Sequence, residues 1–104
     1  MTTHDLKTWP FYFQAIWCGA KNFELRRDDR PYAAGDMLIL REFDPATKSF
    51  TGRRVQAEVT YVLRDAEAFG LAPGHAALSL AWPSKYSTAD QLRQDNNIGL
   101  SDAE

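Results

Sequence analysis

Between Asn22 and Arg27, apolar Phe23 and Leu25 alternate with charged Glu24 and Arg26. From Val55 to Leu63 the residues Val55, Ala57, Val59, Tyr61 and Leu63 repeat the same period. Period-two alternation marks a strand with one face in the core. Met37 to Phe43 is a mostly apolar run between Gly35-Asp36 and Asp44-Pro45, which predicts a largely buried strand bounded by turns. His75 to Trp82 sets Ala76, Leu78, Leu80 and Trp82 on one face, and a looser alternation from His4 to Trp9, through Leu6 and Thr8, completes five strands. The polar stretch Asp44 to Lys48, followed by Phe50, predicts an antiparallel hairpin with the Val55 to Leu63 strand.

Pro10 can open a helix at no cost, because the first helical N–H lacks a partner anyway, and Gly19 can end one. A short helix from Pro10 to Cys18 follows, with Phe13 and Trp17 as its buried stripe and Cys18 as a buried small hydrophobe. Arg64 to Pro73 reads as an irregular or short helical connection. Phe23, Leu25, Leu38, Leu40, Val59, Tyr61, Leu78 and Leu80 are expected to face a common core, with Glu24 and Arg26 on the opposite face. Several short strands and one or two helices favour a mainly β, α+β fold closed into a small barrel, since closure removes exposed edges. The domain runs to Pro83. Residues 84–104 form a polar tail in which Ser87 or Thr88 could cap a short helix through Arg93.

With 104 residues and a single cysteine, the chain is one small domain without an internal disulfide. The two histidines, His4 and His75, are too far apart for the usual zinc patterns, so no metal and no cofactor is expected. No apolar run approaches the roughly 20 residues that span a membrane, and the opening Met1 to Lys7 is polar, which points to the cytoplasm. Twelve basic against fourteen acidic residues exclude bulk electrostatic coating of nucleic acid. The charges are uneven, with ten bases and eight acids in residues 1–64 and two and six in 65–104, so a local basic site is compatible with the composition.

Gly19-Ala20-Lys21-Asn22-Phe23-Glu24-Leu25-Arg26 fits G-x-K-x-x-E-x-R, which resembles the signature of the ASCH domains, a branch of the PUA-like superfamily. His4 to Lys7, Asp29-Arg30 before Gly35-Asp36, Leu38 to Phe43 and Thr51-Gly52-Arg53 resemble a compact bacterial and phage subgroup of that family, and the likeness covers roughly residues 4 to 82. It implies a PUA-like pseudo-barrel of five or six strands, with a cleft near the helix and the motif strand that would hold RNA or a nucleotide. Some ASCH proteins hydrolyse N4-acylated cytidine with the motif lysine, a threonine three residues later and a separate glutamate, and at least one member is reported as a ribonuclease. Here Lys21 matches the lysine, but Glu24 stands where the threonine would be, which argues against that amidohydrolase mechanism.

Lys21, Glu24 and Arg26 are therefore the central candidates, with Arg30 as an outlying one. Arg26 would meet phosphate or a base edge through its planar fork, Lys21 would act as a point charge, and Glu24 would accept from a base N–H. The competing interpretation is an exposed salt bridge of about 0 to 1 kcal/mol. Arg27 and Arg30 flank Asp28 and Asp29, so local charge pairs in a turn explain them equally well. Trp9, Phe11, Tyr12 and Trp17 could supply a base-stacking platform, although core packing accounts for most of them. His4 fits an exposed terminal imidazole; Glu42, beside Arg41, could face the cleft. Three functions follow: a module for RNA or a modified nucleobase; a hydrolase on the same cleft, with Lys21 and Glu24 as its only evident catalytic pair; or a protein-interaction module using the acidic tail.

Overall fold

A computed structural model describes residues 1–87. The elements run β1 (Thr3–Thr8), α1 (Pro10–Trp17), β2 (Phe23–Arg27), β3 (Met37–Asp44), β4 (Ser49–Leu63), a single 3-10 turn (Glu67–Phe69) and β5 (His75–Tyr86). They form one five-stranded sheet in the order β1-β3-β4-β5-β2. Only β1 and β3 run parallel; the other three neighbouring pairs are antiparallel. The sheet curls into a half-barrel, so that its edges, β1 and β2, approach one another across an open seam. The expected mainly β architecture of five strands with one short helix is the one observed.

The core lies on the concave face, where Leu38, Leu40, Val55, Val59 and Leu78 are fully buried beneath Phe13 of α1. The expected hairpin is present. Phe43 faces Phe50 across β3 and β4, their rings 5.1 Å apart edge to face. β5 continues past Pro83 to Tyr86, and its last three residues pair with Arg54, Val55 and Gln56 of β4. The tail beyond it, with the helix expected through Arg93, lies outside the described residues. Among the described residues no helix is long and apolar enough to cross a membrane.

Several apolar positions expected on the buried face lie elsewhere, and the backbone explains each. β2 has the opposite polarity to that expected: Glu24 is 3% exposed, whereas Phe23 and Leu25 are 49% and 55% exposed. Its register against β5 dictates this, because Glu24 stands opposite buried Leu78 while Phe23 stands opposite outward Ser79. On β4 the pairing advances from Val59↔Leu80 to Tyr61↔Ser79, which leaves Thr60 as an extra residue. Such a bulge reverses the faces after it, so Tyr61 and Leu63 turn outward and Val62 turns in. A second bulge falls on β5 between Ala81 and Ser84, where Trp82 adopts φ 51° and is exposed. Leu80, beside these irregularities, is only partly buried. Cys18 is exposed as well, because the buried stripe of α1 is Phe13 and Ile16, and two residues beyond Ile16 the helix has turned away.

Candidate functional site

The site begins with the limits of α1. Pro10 occupies its first turn, and the amides of Tyr12 and Phe13 donate to the carbonyl of Trp9 at 3.1 and 2.8 Å. An eight-residue helix can bury only one stripe, and Phe13 and Ile16 take it. Trp9, Phe11 and Tyr12 are consequently left 58%, 82% and 52% exposed, so core packing does not account for these three aromatics. At the other end Gly19 adopts φ +84°, a left-handed conformation that glycine enters without a Cβ clash. The turn sends the Lys21 amide to the carbonyl of Ala15 at 2.9 Å and aims the lysine side chain back toward β2.

Glu24 projects from the inner face of β2 and accepts from both neighbouring cations. Lys21 Nζ lies 3.0 Å from Oε1, and Arg26 Nε donates to Oε2 at 2.7 Å. Arg26 Nη2 also crosses the seam, donating to the carbonyl of Lys7 at 2.7 Å and to Thr8 Oγ1 at 3.0 Å. Burial of a carboxylate is tolerated only when it is paired and hydrogen-bonded, and here both oxygens are engaged. Lys21 Nζ also sits 5.5 Å from the ring centre of Tyr12 and 5.2 Å from that of Phe23, within cation–π range of both.

These groups line a cleft of about 710 Å³ between α1 and the two edge strands. Its walls are Trp9, Phe11, Tyr12, Phe23 and Leu25; its polar residues are Lys7, Thr8, Lys21, Glu24 and Arg26. Lys21, Glu24 and Arg26 are thus brought together, as an interior cluster and not as an exposed salt bridge. Arg30 is exposed in the loop between β2 and β3 and does not line the cleft. Asp28 is held by Arg64, with bonds of 2.6 and 3.2 Å, in place of a local turn pair. The aromatic walls were the residues hardest to assign from sequence; the signal available was a helix too short to bury its own four aromatics and the Trp9 before it.

Two further polar clusters flank the site without entering it. Glu42, buried on β3, accepts two bonds from Arg53 at 2.9 and 3.0 Å and one from Thr51 at 2.6 Å. The Arg53 hydrogen bonds hold the Glu42 carboxyl below the usual carboxylate range. Arg53 also donates to Gln14 and covers the ring of Trp17 at 4.8 Å, which fixes α1 to the sheet. His4 is buried, contrary to the expected exposed imidazole, because β1 turns His4, Leu6 and Thr8 inward. Its Nε2 lies 2.8 Å from Asp36 Oδ2, and this bond leads the interactions that lower the Asp36 pKa. Tyr32 packs on His4 at 4.7 Å, and burial raises its phenol pKa.

Residues 3–80 match the family described as "Domain of unknown function (DUF3850)". An uncharacterized 12.9 kDa protein in the GpA 3′ region of Escherichia phage P2 is 42% identical over 59 residues, which cover 57% of this chain and 52% of that protein. The chain therefore spans about half the length of this relative. Among solved structures, a serine-to-alanine mutant of ZmASCH from Zymomonas mobilis matches with a TM-score of 0.53 at 16% identity, covering 98% of this chain and 83% of that one. At that identity the likeness concerns the fold, which is ASCH-like.

Proposed function

From the premise that the chain belongs to the DUF3850 family and carries an ASCH-like fold, we propose that it is a PUA-like module that binds RNA or a nucleotide, including a modified nucleobase, in the cleft between α1 and β2. One observation carries the reading: a lysine and an arginine, held in place by a buried glutamate, sit among exposed aromatic rings. Flat rings of Trp9, Tyr12 and Phe23 suit stacking against a base. Lys21 Nζ keeps two N–H groups and Arg26 keeps its Nη1 group for acceptors on a ligand. Two cations against one carboxylate leave this centre positive, which favours a phosphate-bearing ligand on a protein whose net charge is −2.

Glu24 acts here as the anchor that orients both cations. A general base must be free to take a proton, and a carboxylate that already accepts from Lys21 and Arg26 is committed to them. Binding without turnover is the outcome to test. Thermal stabilisation should be measured with nucleotides, modified nucleosides and short RNA, since any ligand of the native state raises the melting temperature by mass action. Lys21→Ala and Arg26→Ala should weaken binding, and N4-acetylcytidine should persist at the rate of a no-protein control. Turnover by the unmodified protein that Glu24→Gln abolishes would replace this reading with a hydrolase. Stabilisation by none of these ligands would leave the protein-interaction reading in its place.

A further inference from the structure

The outward face of β2 continues across the sheet in register. Phe23 stands opposite Ser79 of β5, and Ser79 stands opposite Tyr61 of β4. The next row is Leu25, Ala77 and Leu63, and the row after it begins with Arg27 and His75. Residues directly opposite in a sheet share a face, so small Ser79 and Ala77 form the floor of a shallow groove along β5. Its two ridges are Phe23 with Leu25 and Tyr61 with Leu63, about 10 Å apart, the width of two strand spacings. All four ridge residues are exposed, Tyr61 at 60%.

Two departures from the usual strand rules create this groove. β2 turns its charges inward and its apolar residues outward, and the Thr60 bulge turns Tyr61 and Leu63 outward beside them. Departures from local consistency are expected at functional or strained sites, and these two agree in their result. Phe23 and Leu25 also line the cleft, so groove and cleft are one continuous surface that bends over the edge of β2. Cations stand at both ends: Lys21 beside the Phe23 ring, and exposed Arg27 one row past Leu25.

We propose that this outer groove is a second part of the binding site, and that the ligand is a single-stranded polynucleotide whose next bases stack on Phe23 and Tyr61 after one base has entered the cleft. The inference rests on the nucleotide reading of the cleft and narrows it from a free nucleotide to a strand. Charge selects this occupant over an apolar protein partner. Alternating rings and small residues flanked by a lysine and an arginine match bases joined by phosphates, and stacking on rings tolerates any base.

The test uses the whole protein and a fluorescein-labelled single strand of about eight nucleotides, as RNA and as DNA of the same sequence, read by anisotropy. Tyr61 lies on the outer groove and does not line the cleft, so Tyr61→Ala should weaken the tighter of the two strands about tenfold while Tyr61→Phe stays within about twofold of the parent. Binding of a mononucleotide, measured by calorimetry, should not respond to Tyr61→Ala. Strand binding that Arg26→Ala weakens but Tyr61→Ala does not would overturn the groove and keep the cleft. Strand binding that only Tyr61→Ala weakens would overturn the cleft. Failure of both strands to bind, or a dimer in sedimentation that Tyr61→Ala dissociates, would overturn the groove as a polynucleotide site.

Discussion

Arg26 and Thr8 belong to opposite edges of the sheet, yet Nη2 of the arginine donates to the threonine hydroxyl across 3.0 Å. One side chain therefore closes the seam of the half-barrel and holds the carboxylate at the cleft. Arg26→Ala should lower unfolding stability by about 2 kcal/mol, because it strips a buried carboxylate of one of its two partners. Arg26→Lys should recover only part of this: an ammonium can meet Glu24 but cannot also reach the carbonyl of Lys7 and Thr8 as a planar fork does. Urea unfolding of the two variants measures the difference.

Gly19 offers a cleaner backbone test. A Cβ added there meets nothing within 4 Å, so any penalty comes from φ +84° alone. Gly19→Ala should cost about 1 kcal/mol and should also weaken nucleotide binding, since this turn aims Lys21. A variant as stable as the parent, with unchanged affinity, would contradict the role given to the turn.

Acid should loosen the fold through Asp36 and Glu42. Both pKa values are depressed in the folded protein from ordinary values of 3.8 and 4.5, by the His4 and Arg53 hydrogen bonds respectively. A depressed carboxyl pKa adds stability that is present above the unfolded value and is lost as pH falls through the folded one. Urea midpoints should hold steady above about pH 5 and fall progressively below about pH 4.5. Asp36→Asn and Glu42→Gln should each start from lower stability and flatten that acid slope.

Arg53 joins Glu42, Thr51 and Gln14 to the α1 rings. Arg53→Ala should cost about 2 to 3 kcal/mol by leaving Glu42 buried with only a hydroxyl donor. Arg53→Lys should fall well short of rescue, because two parallel N–H bonds and ring stacking both need the guanidinium plane. Tryptophan fluorescence should report the change, since Arg53 covers Trp17.

The elements whose polarity follows hydrophobic burial were legible in the sequence. Leu38, Leu40, Val59 and Leu78 face the core as their spacing requires, and α1 starts at Pro10 and ends before Gly19. The motif residues Lys21, Glu24 and Arg26 do meet. Their side of the strand was not legible, because alternation gives two faces without saying which is inner; the register against Leu78 decides it, and that contact is more than 50 residues away. The Thr60 bulge leaves one mark, apolar Val62 between Tyr61 and Leu63 where strict alternation would place a polar residue, and three apolar residues in a row do not say which of them turn inward. Nor does local sequence show that β1 lies beside β3, a pairing that skips α1 and β2.

That skipped order bears on how the protein is made. Every residue lining the cleft falls between Lys7 and Arg26, N-terminal to β3, β4 and β5. Yet the sheet partner of β2 is residues 75–79 of β5, and that of β1 is β3. A nascent chain that has emerged as far as Leu63 holds the whole lining but not the β5 strand that pairs with β2; the cleft is written into the chain before the partner that sets its wall in place.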